Sequence, residues 1–222
     1  MPASLINSLI RQHKLIAILR CVPQSKVLKL ADALHKGGVK ILEFTFDHNQ
    51  PEFISDTCQK VAMIRQAFGE SLVIGCGTVL STGEAESAQA AGAQLIISPH
   101  TDVHLIRRSK ELGAVAIPGA LTPTEIASAH YAGADFVKLF PADHLGTSYI
   151  QAVLAPLCHI PLLAVGGVKP ENAAEYLNAG MAGFGVGSQL VESAALKNND
   201  YNSITKRALA FTRAIAAWEA NA

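Results

Sequence analysis

The sequence predicts a single α/β domain, spanning residues 1–222, that folds as a (β/α)8 barrel with a short N-terminal helix. Eight short apolar runs alternate with longer segments of helical spacing, at a length that suits one sizeable core. The runs carry little polar alternation, as is typical of parallel strands buried on both faces. The predicted strands are Leu15–Leu19, Ile41–Phe46, Leu72–Gly75, Leu95–Ile97, Val115–Ile117, Phe136–Phe140, Leu162–Val165 and Gly183–Val186.

The segments between these runs are predicted helices. They cover residues 25–36, 83–91, 122–131 and 170–178, and an amphipathic helix occupies the first 14 residues. Ser25, Ser81 and Thr122 are the predicted N-caps, and Pro123 suits a first helical position. Turns such as Ala-Gly-Ala at 91–93 are predicted helix ends, because glycine accepts the left-handed conformation found there.

The alternative architecture is a doubly wound open sheet. That fold usually has fewer β/α units and a glycine-rich turn after its first strand. Here the first predicted strand is followed by Arg20, Cys21, Val22 and Pro23, which form no such turn. No linker or repeat separates a second domain, so one barrel is the favoured architecture.

Charge and cysteine content exclude several classes of partner. Lysine plus arginine and aspartate plus glutamate number 18 each, so no basic surface for nucleic acid is expected. No apolar stretch approaches the ~20 residues that span a bilayer, and Asn7 and Arg11 interrupt any signal-peptide core. The four cysteines form no Cys-x-x-Cys pair, which indicates free thiols in a reducing compartment. We therefore expect a cytoplasmic protein.

The charged fraction of 16% is low against the roughly 25% of ordinary soluble domains. Two explanations remain open at this point. Some of the surface is buried in an oligomer, or a compact barrel with a large interior needs few charges.

Lys138 is the most informative single residue, because it lies within an apolar predicted strand. Burying an ammonium group costs several kcal/mol unless something compensates. Burial also lowers the pKa of lysine, and a neutral amine can attack a carbonyl carbon to form a Schiff base. The alternatives are a side chain that reaches solvent at the strand end, or a structural ion pair. Residue chemistry alone leaves these possibilities open.

Glu43 is a second ionisable residue in an apolar strand. It is either a structural partner of Lys138 or a general acid/base whose pKa is raised by burial. Its predicted strand ends in Thr45 and Phe46, so Glu43 is expected near the carboxyl end of the barrel, where barrel enzymes place their active sites.

Glycine-rich turns follow the last two predicted strands. Gly166 and Gly167 come before a helix, and Gly187 and Ser188 follow the final strand. Exposed backbone N–H groups at such turns form an anion site, and barrels often bind phosphate here. Arg20 follows the first strand, which neighbours the last in a closed barrel, so its charge is expected at the same site.

Other candidate residues are assigned no chemistry. His100 and His104 have a spacing that can hold a metal, but no acidic cluster accompanies them and Pro99 indicates a turn. No metal site or cofactor is therefore predicted. Cys76 has no evident base beside it and is expected to fill space at a strand end.

The chain resembles the 2-keto-3-deoxy-6-phosphogluconate (KDPG) / 4-hydroxy-2-oxoglutarate (KHG) aldolase family along nearly its whole length. The resemblance is carried by Pro-Gly-Ala-Leu-Thr-Pro-Thr-Glu at 118–125 and by Val-Lys-Leu-Phe-Pro-Ala at 137–142. Gly-Cys-Gly-Thr-Val at 75–79 is similar to the family's Gly-Ala-Gly-Thr-Val. Gly-Gly-Val-Lys-Pro-Glu-Asn at 166–172 is similar to its Gly-Gly-Val-x-Pro-Glu-Asn.

The resemblance implies a class I aldolase without a metal or organic cofactor, and a homotrimer. The substrate it implies is a phosphorylated 2-keto sugar acid, cleaved to pyruvate and glyceraldehyde 3-phosphate, with 4-hydroxy-2-oxoglutarate as a possible second substrate. The resemblance also implies a role for each site residue. Lys138 forms the Schiff base and Glu43 is the acid/base. Thr78 and Pro99 bind the carboxylate, Phe140 packs against the substrate, and the phosphate contacts come from Gly166, Gly167 and Ser188.

Two positions depart from the family pattern. Many members have arginine four residues after the glutamate, where this chain has Asp47. An inward Asp47 would repel the substrate carboxylate, so it turns away or the specificity has changed. Val165 precedes the Gly-Gly turn where phosphogluconate-type members have threonine and phosphogalactonate-type members have valine. A missing hydroxyl there removes one hydrogen bond to a substrate hydroxyl.

The expected function is therefore KDPG cleavage. The alternatives are the corresponding 6-phosphogalactonate aldolase, another phosphate-binding barrel isomerase or epimerase, and a phosphosugar-binding protein without catalysis.

Overall fold

The structure, a computed structural model that describes residues 1–221, has the predicted barrel architecture. Parallel strands form the barrel wall, and helices cover it. The strands are β1 (Leu15–Leu19), β2 (Ile41–Thr45), β3 (Val73–Gly77), β4 (Leu95–Ile97), β5 (Val115–Ile117), β6 (Gly119–Ala120), β7 (Val137–Leu139), β8 (Leu162–Val165) and β9 (Gly183–Val186). The helices are α1 (Ala3–His13), α2 (Val27–Lys36), α3 (Phe53–Phe68), α4 (Thr82–Ala90), α5 (Val103–Glu111), α6 (Pro123–Tyr131), α7 (Gly146–Leu157), α8 (Ala173–Asn178), α9 (Ser193–Lys197) and α10 (Tyr201–Glu219).

The barrel closes through a strand that is divided in two. The strand order is β5-β4-β3-β2-β1-β9-β8-β7-β6. Only Pro118, which has no N–H to donate, separates β5 from β6. β5 pairs with β4 and β6 pairs with β7, while Lys138 N donates to Pro118 O across 2.8 Å. The nine segments therefore form eight strands of one wall.

The barrel interior is filled by apolar side chains from alternate strand positions, as a packed barrel core requires. We call this set the inner cluster: Ile16, Ile41, Val73, Leu95, Ile97, Val115, Ile117, Phe136 and Leu163, joined by Ile6 and Ile10 of α1. The predicted N-terminal helix thus closes the amino end of the barrel. Its opposite, carboxyl end is left for the loops.

The outer strand face packs against the surrounding helices in a second, larger cluster. The contact of α2 with α10 is the tightest part of this layer. A methyl group on Gly37 would lie 2.3 Å from Ala208 Cβ, so the chain passes directly over α10 there. Position 37 requires glycine, because any side chain there would overlap Ala208.

Several predicted helix ends are confirmed, and two differ. Ser81 accepts a hydrogen bond from Glu84 N, and Thr122 forms a capping box with Glu125. Gly92 has a φ of 98°, the left-handed value expected at a helix end. Ser25 is not an N-cap, because it lies inside a 3-10 turn (Gln24–Lys26) that precedes α2. The helix predicted over 170–178 begins later, with α8 at residue 173.

No helix within residues 1–221 has the length and apolar character needed to cross a membrane.

Candidate active site

Lys138 lies in the barrel interior on β7 and is only 5% exposed. Its Nζ lies 4.8 Å from the centre of the Phe140 ring, within the range of a cation–π contact. Burial lowers the pKa of Lys138, since the surroundings solvate an ammonium poorly. The charge of Glu43 opposes this shift and that of Arg20 adds to it. The amine is therefore biased toward its neutral, nucleophilic form.

Glu43, on β2, is 2% exposed. Burial raises its pKa, against smaller opposing effects of the charges of Lys138 and Arg20. Among residues 1–221 the structure shows no hydrogen bond to its carboxyl oxygens, and no ion pair within 4 Å joins it to Lys138. The two side chains thus interact electrostatically without touching, which leaves both free to bind a third group.

A small cavity of about 10 Å³ separates the two groups from the barrel core. It is lined by Glu43, Lys138, Val165 and Gly185, with Ile16, Ile97, Ile117 and Leu163 as its apolar wall. That volume is about the minimum that holds one water molecule. The remainder of the interior below it is closed by the inner cluster.

A larger cavity of about 350 Å³ opens beside it at the carboxyl end of the barrel. Val165 and Gly185 line both cavities, which are therefore adjacent. All five residues expected at the phosphate, and Phe140 and Val165 expected near the substrate, line this cavity: Arg20, Gly166, Gly167, Gly187, Ser188, Phe140 and Val165. The structure therefore joins the predicted anion site to the Lys138–Glu43 pair.

The Gly-Gly turn in this cavity requires glycine at both positions. Gly166 has a φ of 110° and Gly167 a φ of 70°, a region that strains other residues. A methyl on Gly167 would also lie 2.4 Å from Asp143 Cβ. Because the turn carries no side chains, its backbone N–H groups are accessible from the cavity. Such a turn suits an anion.

Comparison with known proteins identifies the family. The family model described as KDPG and KHG aldolase matches residues 6–207. The chain belongs to the KDPG and KHG aldolase family. It is thereby an aldolase, an aldehyde-lyase, and the isomerase and binding-protein alternatives lose their support.

Relatives within the family differ in the substrate that their names give. The 2-dehydro-3-deoxy-6-phosphogalactonate aldolase of Escherichia coli (strain K12) is 38% identical over 177 residues, which are 79% of this chain and 83% of the relative. The 2-dehydro-3-deoxy-phosphogluconate aldolase of Treponema pallidum (strain Nichols) is 33% identical over 79% of this chain and 81% of its own.

Solved structures of aldolases share the fold. A native KDPGal structure superposes with a TM-score of 0.83 at 35% identity, covering 92% of this chain and 95% of that one. A KDPG aldolase from Legionella pneumophila, with pyruvate captured as a covalent carbinolamine, gives a TM-score of 0.82 at 27% identity, covering 92% and 97%.

Asp47, the residue that departs from the family pattern, turns away from Lys138. Its Oδ1 accepts hydrogen bonds from the backbone and side-chain nitrogens of Asn49, and its Oδ2 lies 3.8 Å from Cys21 Sγ. It lines a separate cavity of about 500 Å³ beside α3, which shares no lining residue with the other two. A substrate carboxylate held near Lys138 would therefore not face the Asp47 charge directly.

Thr78 and Pro99, the residues expected at the substrate carboxylate, follow β3 and β4, which are neighbouring strands. Neither is among the described residues that line these two adjacent cavities. Thr78 adopts a left-handed backbone with a φ of 56°, and Val79 N donates to Ile97 O beside it. Their role in carboxylate binding stays a prediction.

The histidines and cysteines add no further catalytic group to this aldolase site. His100 precedes α5 and His104 lies within it, so the pair does not share one helix face. Within residues 1–221 no group of three or more His, Cys, Asp or Glu side chains is placed to hold a metal. Burial raises the pKa of Cys76, which keeps this thiol protonated.

Sequence reasoning missed two glycines on the inner barrel wall, Gly77 and Gly185. A methyl on Gly185 would lie 3.0 Å from both Ile18 and Val165, so a side chain here would crowd the boundary between the two cavities. Glycine inside a strand often marks the close approach of another group. Gly185 lies inside a predicted strand, whereas Gly77 lies beyond the predicted end of its strand at Gly75, and only the structure shows which groups approach the two glycines.

Proposed function

We propose that this aldolase is a Schiff-base enzyme that cleaves a 2-dehydro-3-deoxy-6-phospho sugar acid to pyruvate and glyceraldehyde 3-phosphate, with Lys138 as its nucleophile and Glu43 as its acid/base. The observation that carries the proposal is the buried Lys138–Glu43 pair, which forms no ion pair and lines a small cavity next to a larger one with a glycine-rich turn. The covalent pyruvate reported for the Legionella pneumophila aldolase supports the same chemistry.

The proposed cycle begins when neutral Lys138 Nζ attacks the C2 carbonyl carbon. Loss of water from the resulting carbinolamine gives an iminium ion, which accepts electrons from the C3–C4 bond. Glu43 removes the C4 hydroxyl proton, directly or through a water, as that bond breaks. Glyceraldehyde 3-phosphate leaves, C3 of the enamine is protonated, and hydrolysis releases pyruvate and regenerates the amine.

The larger cavity supplies the binding part of the proposal. We assign the phosphate to the Gly166–Gly167 turn with Gly187, Ser188 and Arg20, and the sugar carbons to the space beside Phe140 and Val165. The pyruvyl carboxylate is assigned to Thr78 and Pro99, which follow β3 and β4, the first and second strands from the Glu43 strand on one side of the barrel. Asp47 lies outside this arrangement.

The galactonate-derived epimer is the substrate that this proposal favours. Val165 presents no hydroxyl to the substrate at the position where it lines both cavities. The 38% identical phosphogalactonate aldolase of Escherichia coli supports the same choice. The gluconate-derived epimer is the second candidate, supported by the Treponema pallidum relative.

A homotrimer in the cytoplasm completes the proposal. The low charged fraction of the chain is consistent with a surface partly covered by other copies. All four cysteines are free, as a reducing compartment would keep them.

Reductive trapping tests the mechanism. Incubation with pyruvate and borohydride should add one reduced pyruvyl group to Lys138, detected by mass spectrometry of the peptide. Lys138→Met should abolish both the adduct and pyruvate release, while Lys29→Met, a change at an exposed lysine, should alter neither. Turnover by Lys138→Met, or an adduct on another lysine, would contradict the mechanism.

Substrate comparison tests the specificity. Initial rates on the galactonate-derived acid, its gluconate-derived epimer and 4-hydroxy-2-oxoglutarate should give the highest kcat/KM for the first. Val165→Thr should shift the ratio of the two epimers toward gluconate by about five- to tenfold, the effect of one hydrogen bond of ~1 kcal/mol. Val165→Ala, which changes bulk without adding a hydroxyl, is the control. An unchanged ratio in Val165→Thr would remove Val165 from the specificity argument.

A further inference from the structure

Gly77 lies on the inner barrel wall beside Glu43. β2 and β3 run parallel, with Glu43 opposite Gly75 and Thr45 opposite Gly77. A methyl group on Gly77 would lie 1.6 Å from Glu43 Oε1 and 2.4 Å from its carboxyl carbon. The Glu43 carboxyl group therefore occupies the volume that a side chain at position 77 would fill.

The glycine is needed for this space and not for its backbone conformation. Gly77 is an ordinary strand residue without a left-handed φ, and its carbonyl accepts a hydrogen bond from Phe46 N at 2.9 Å. Its backbone is thus fixed to the same β2 region that carries Glu43. Gly75 differs, because a methyl there would lie 2.8 Å from the backbone oxygen of Leu95.

Packing is what holds the Glu43 carboxyl group in place. Within residues 1–221 it has no hydrogen-bonding partner and no ion pair, although Glu43 is 2% exposed. A carboxyl group without such partners takes its position from the side chains and the open space around it. The carboxyl group fits into the space beside Gly77.

We propose that Gly77 is a positioning residue for the aldol cleavage. Because it has no side chain, it leaves a space, called the seat below, that holds the Glu43 carboxyl group at the reaction centre near Lys138. The inference rests on the proposed function, since it presumes that Glu43 transfers the proton. It assigns to the second glycine of the Gly-Cys-Gly-Thr-Val segment a role in catalysis that acts through Glu43.

Gly77→Ala tests the seat. The clash is with the end of a flexible side chain, so the barrel should fold with the Glu43 carboxyl group displaced. kcat should fall about 10- to 100-fold, as expected for a reacting group moved by about 1 Å, with KM nearly unchanged. Trapping of pyruvate on Lys138 should persist, and the acid limb of the pH profile should move. Gly83→Ala is the matched control, because a methyl there meets no atom within 4 Å, and it should leave rate and profile unchanged.

A double-mutant cycle shows whether the effect passes through Glu43. In a Glu43→Gln background the proton transfer is already lost, so adding Gly77→Ala should lower the residual rate by less than threefold. An equal, multiplicative loss in both backgrounds would overturn the proposal. So would wild-type kcat in the single Gly77→Ala variant.

Thermal unfolding supplies a readout that does not need activity. Gly77→Ala should lower Tm in the wild-type chain but much less in a Glu43→Ala chain, where the carboxyl group is absent. If Gly77→Ala fails to fold, the Glu43→Ala/Gly77→Ala double variant should still fold. A double variant that also fails to fold would overturn the proposal. Failure of the proposed function is distinguishable, because the wild type itself would then release no pyruvate and form no adduct.

Discussion

At the scale of single residues, the proposed chemistry depends on two buried ionisable groups that form no ion pair with each other. Burial lowers the pKa of Lys138 and raises that of Glu43, and the effect of each on the other is smaller. Both groups are thus brought toward the neutral pH range, where an amine can attack and a carboxylate can accept a proton. The arrangement is more useful for proton transfer than a direct ion pair would be.

The same shifts oppose folding near neutral pH. The folded-state pKa of Glu43 is raised, so its contribution to stability is present below its unfolded value of 4.5 and is lost as pH rises through the folded pKa. The folded-state pKa of Lys138 is lowered, so the unfolded chain binds the extra proton between that pKa and 10.5. The site therefore carries a cost in stability, which the apolar clusters must offset.

The pH dependence of kcat/KM should reflect these shifts. Glu43 must be ionised to accept a proton, so activity should fall with decreasing pH through a pKa above the ordinary 4.5. Glu43→Gln should lower kcat about 10²- to 10⁴-fold with little change in KM and remove the contribution of Glu43 to that limb. Initial rates across pH, in wild type and variant, measure both. An identical acid limb in Glu43→Gln would assign the titration to another group.

At the scale of elements, the two ends of the barrel are built differently. α1 closes the amino end with Ile6 and Ile10, while glycine-rich turns open the carboxyl end. The barrel wall stays continuous although one strand is divided at Pro118, because the Pro118 carbonyl oxygen still accepts a hydrogen bond from Lys138 N. This hydrogen bond fixes the backbone of Lys138, the proposed nucleophile, to the neighbouring strand segment.

Shortening side chains of α1 should show how much the closed amino end of the barrel contributes to stability. Ile10 is fully buried in the inner cluster, so Ile10→Ala should lower the free energy of unfolding by about 2–5 kcal/mol. Leu5 lies on the same helix but is 46% exposed, and Leu5→Ala should cost less than ~1 kcal/mol. Urea or guanidinium unfolding measures both variants. Equal losses would mean that α1 contributes no specific closure of the barrel.

At the scale of the whole molecule, the proposed homotrimer is open to direct measurement. Light scattering coupled to size-exclusion chromatography should give a mass three times that of the chain, stable on dilution. A monomer mass would leave the compact barrel as the explanation for the low charged fraction. The two cavities of the candidate site are lined within one chain, so their geometry does not by itself require a partner.

Much of the fold could be predicted from the sequence, because strands buried on both faces are apolar throughout and helix ends have their own residue chemistry. The eight strands and the Thr122 capping box follow from such local patterns. Ser25 shows the limit. A serine before a helical segment suits an N-cap, but the chain forms a 3-10 turn there and Lys26 Nζ binds the carbonyls of Leu196 and Lys197. That contact is 170 residues distant in sequence.

The candidate site divides in the same way. The sequence by itself determined which groups are chemically unusual: a lysine and a glutamate in apolar strands, and glycines at two turns, since each is costly or strained unless it has a use. The tertiary structure decided their mutual placement. It brought the turns next to the Lys138–Glu43 pair along two adjacent cavities, turned Asp47 outward, and placed the Glu43 carboxyl group in the space at Gly77. Such placements depend on strand register and packing between distant segments, which local sequence does not encode.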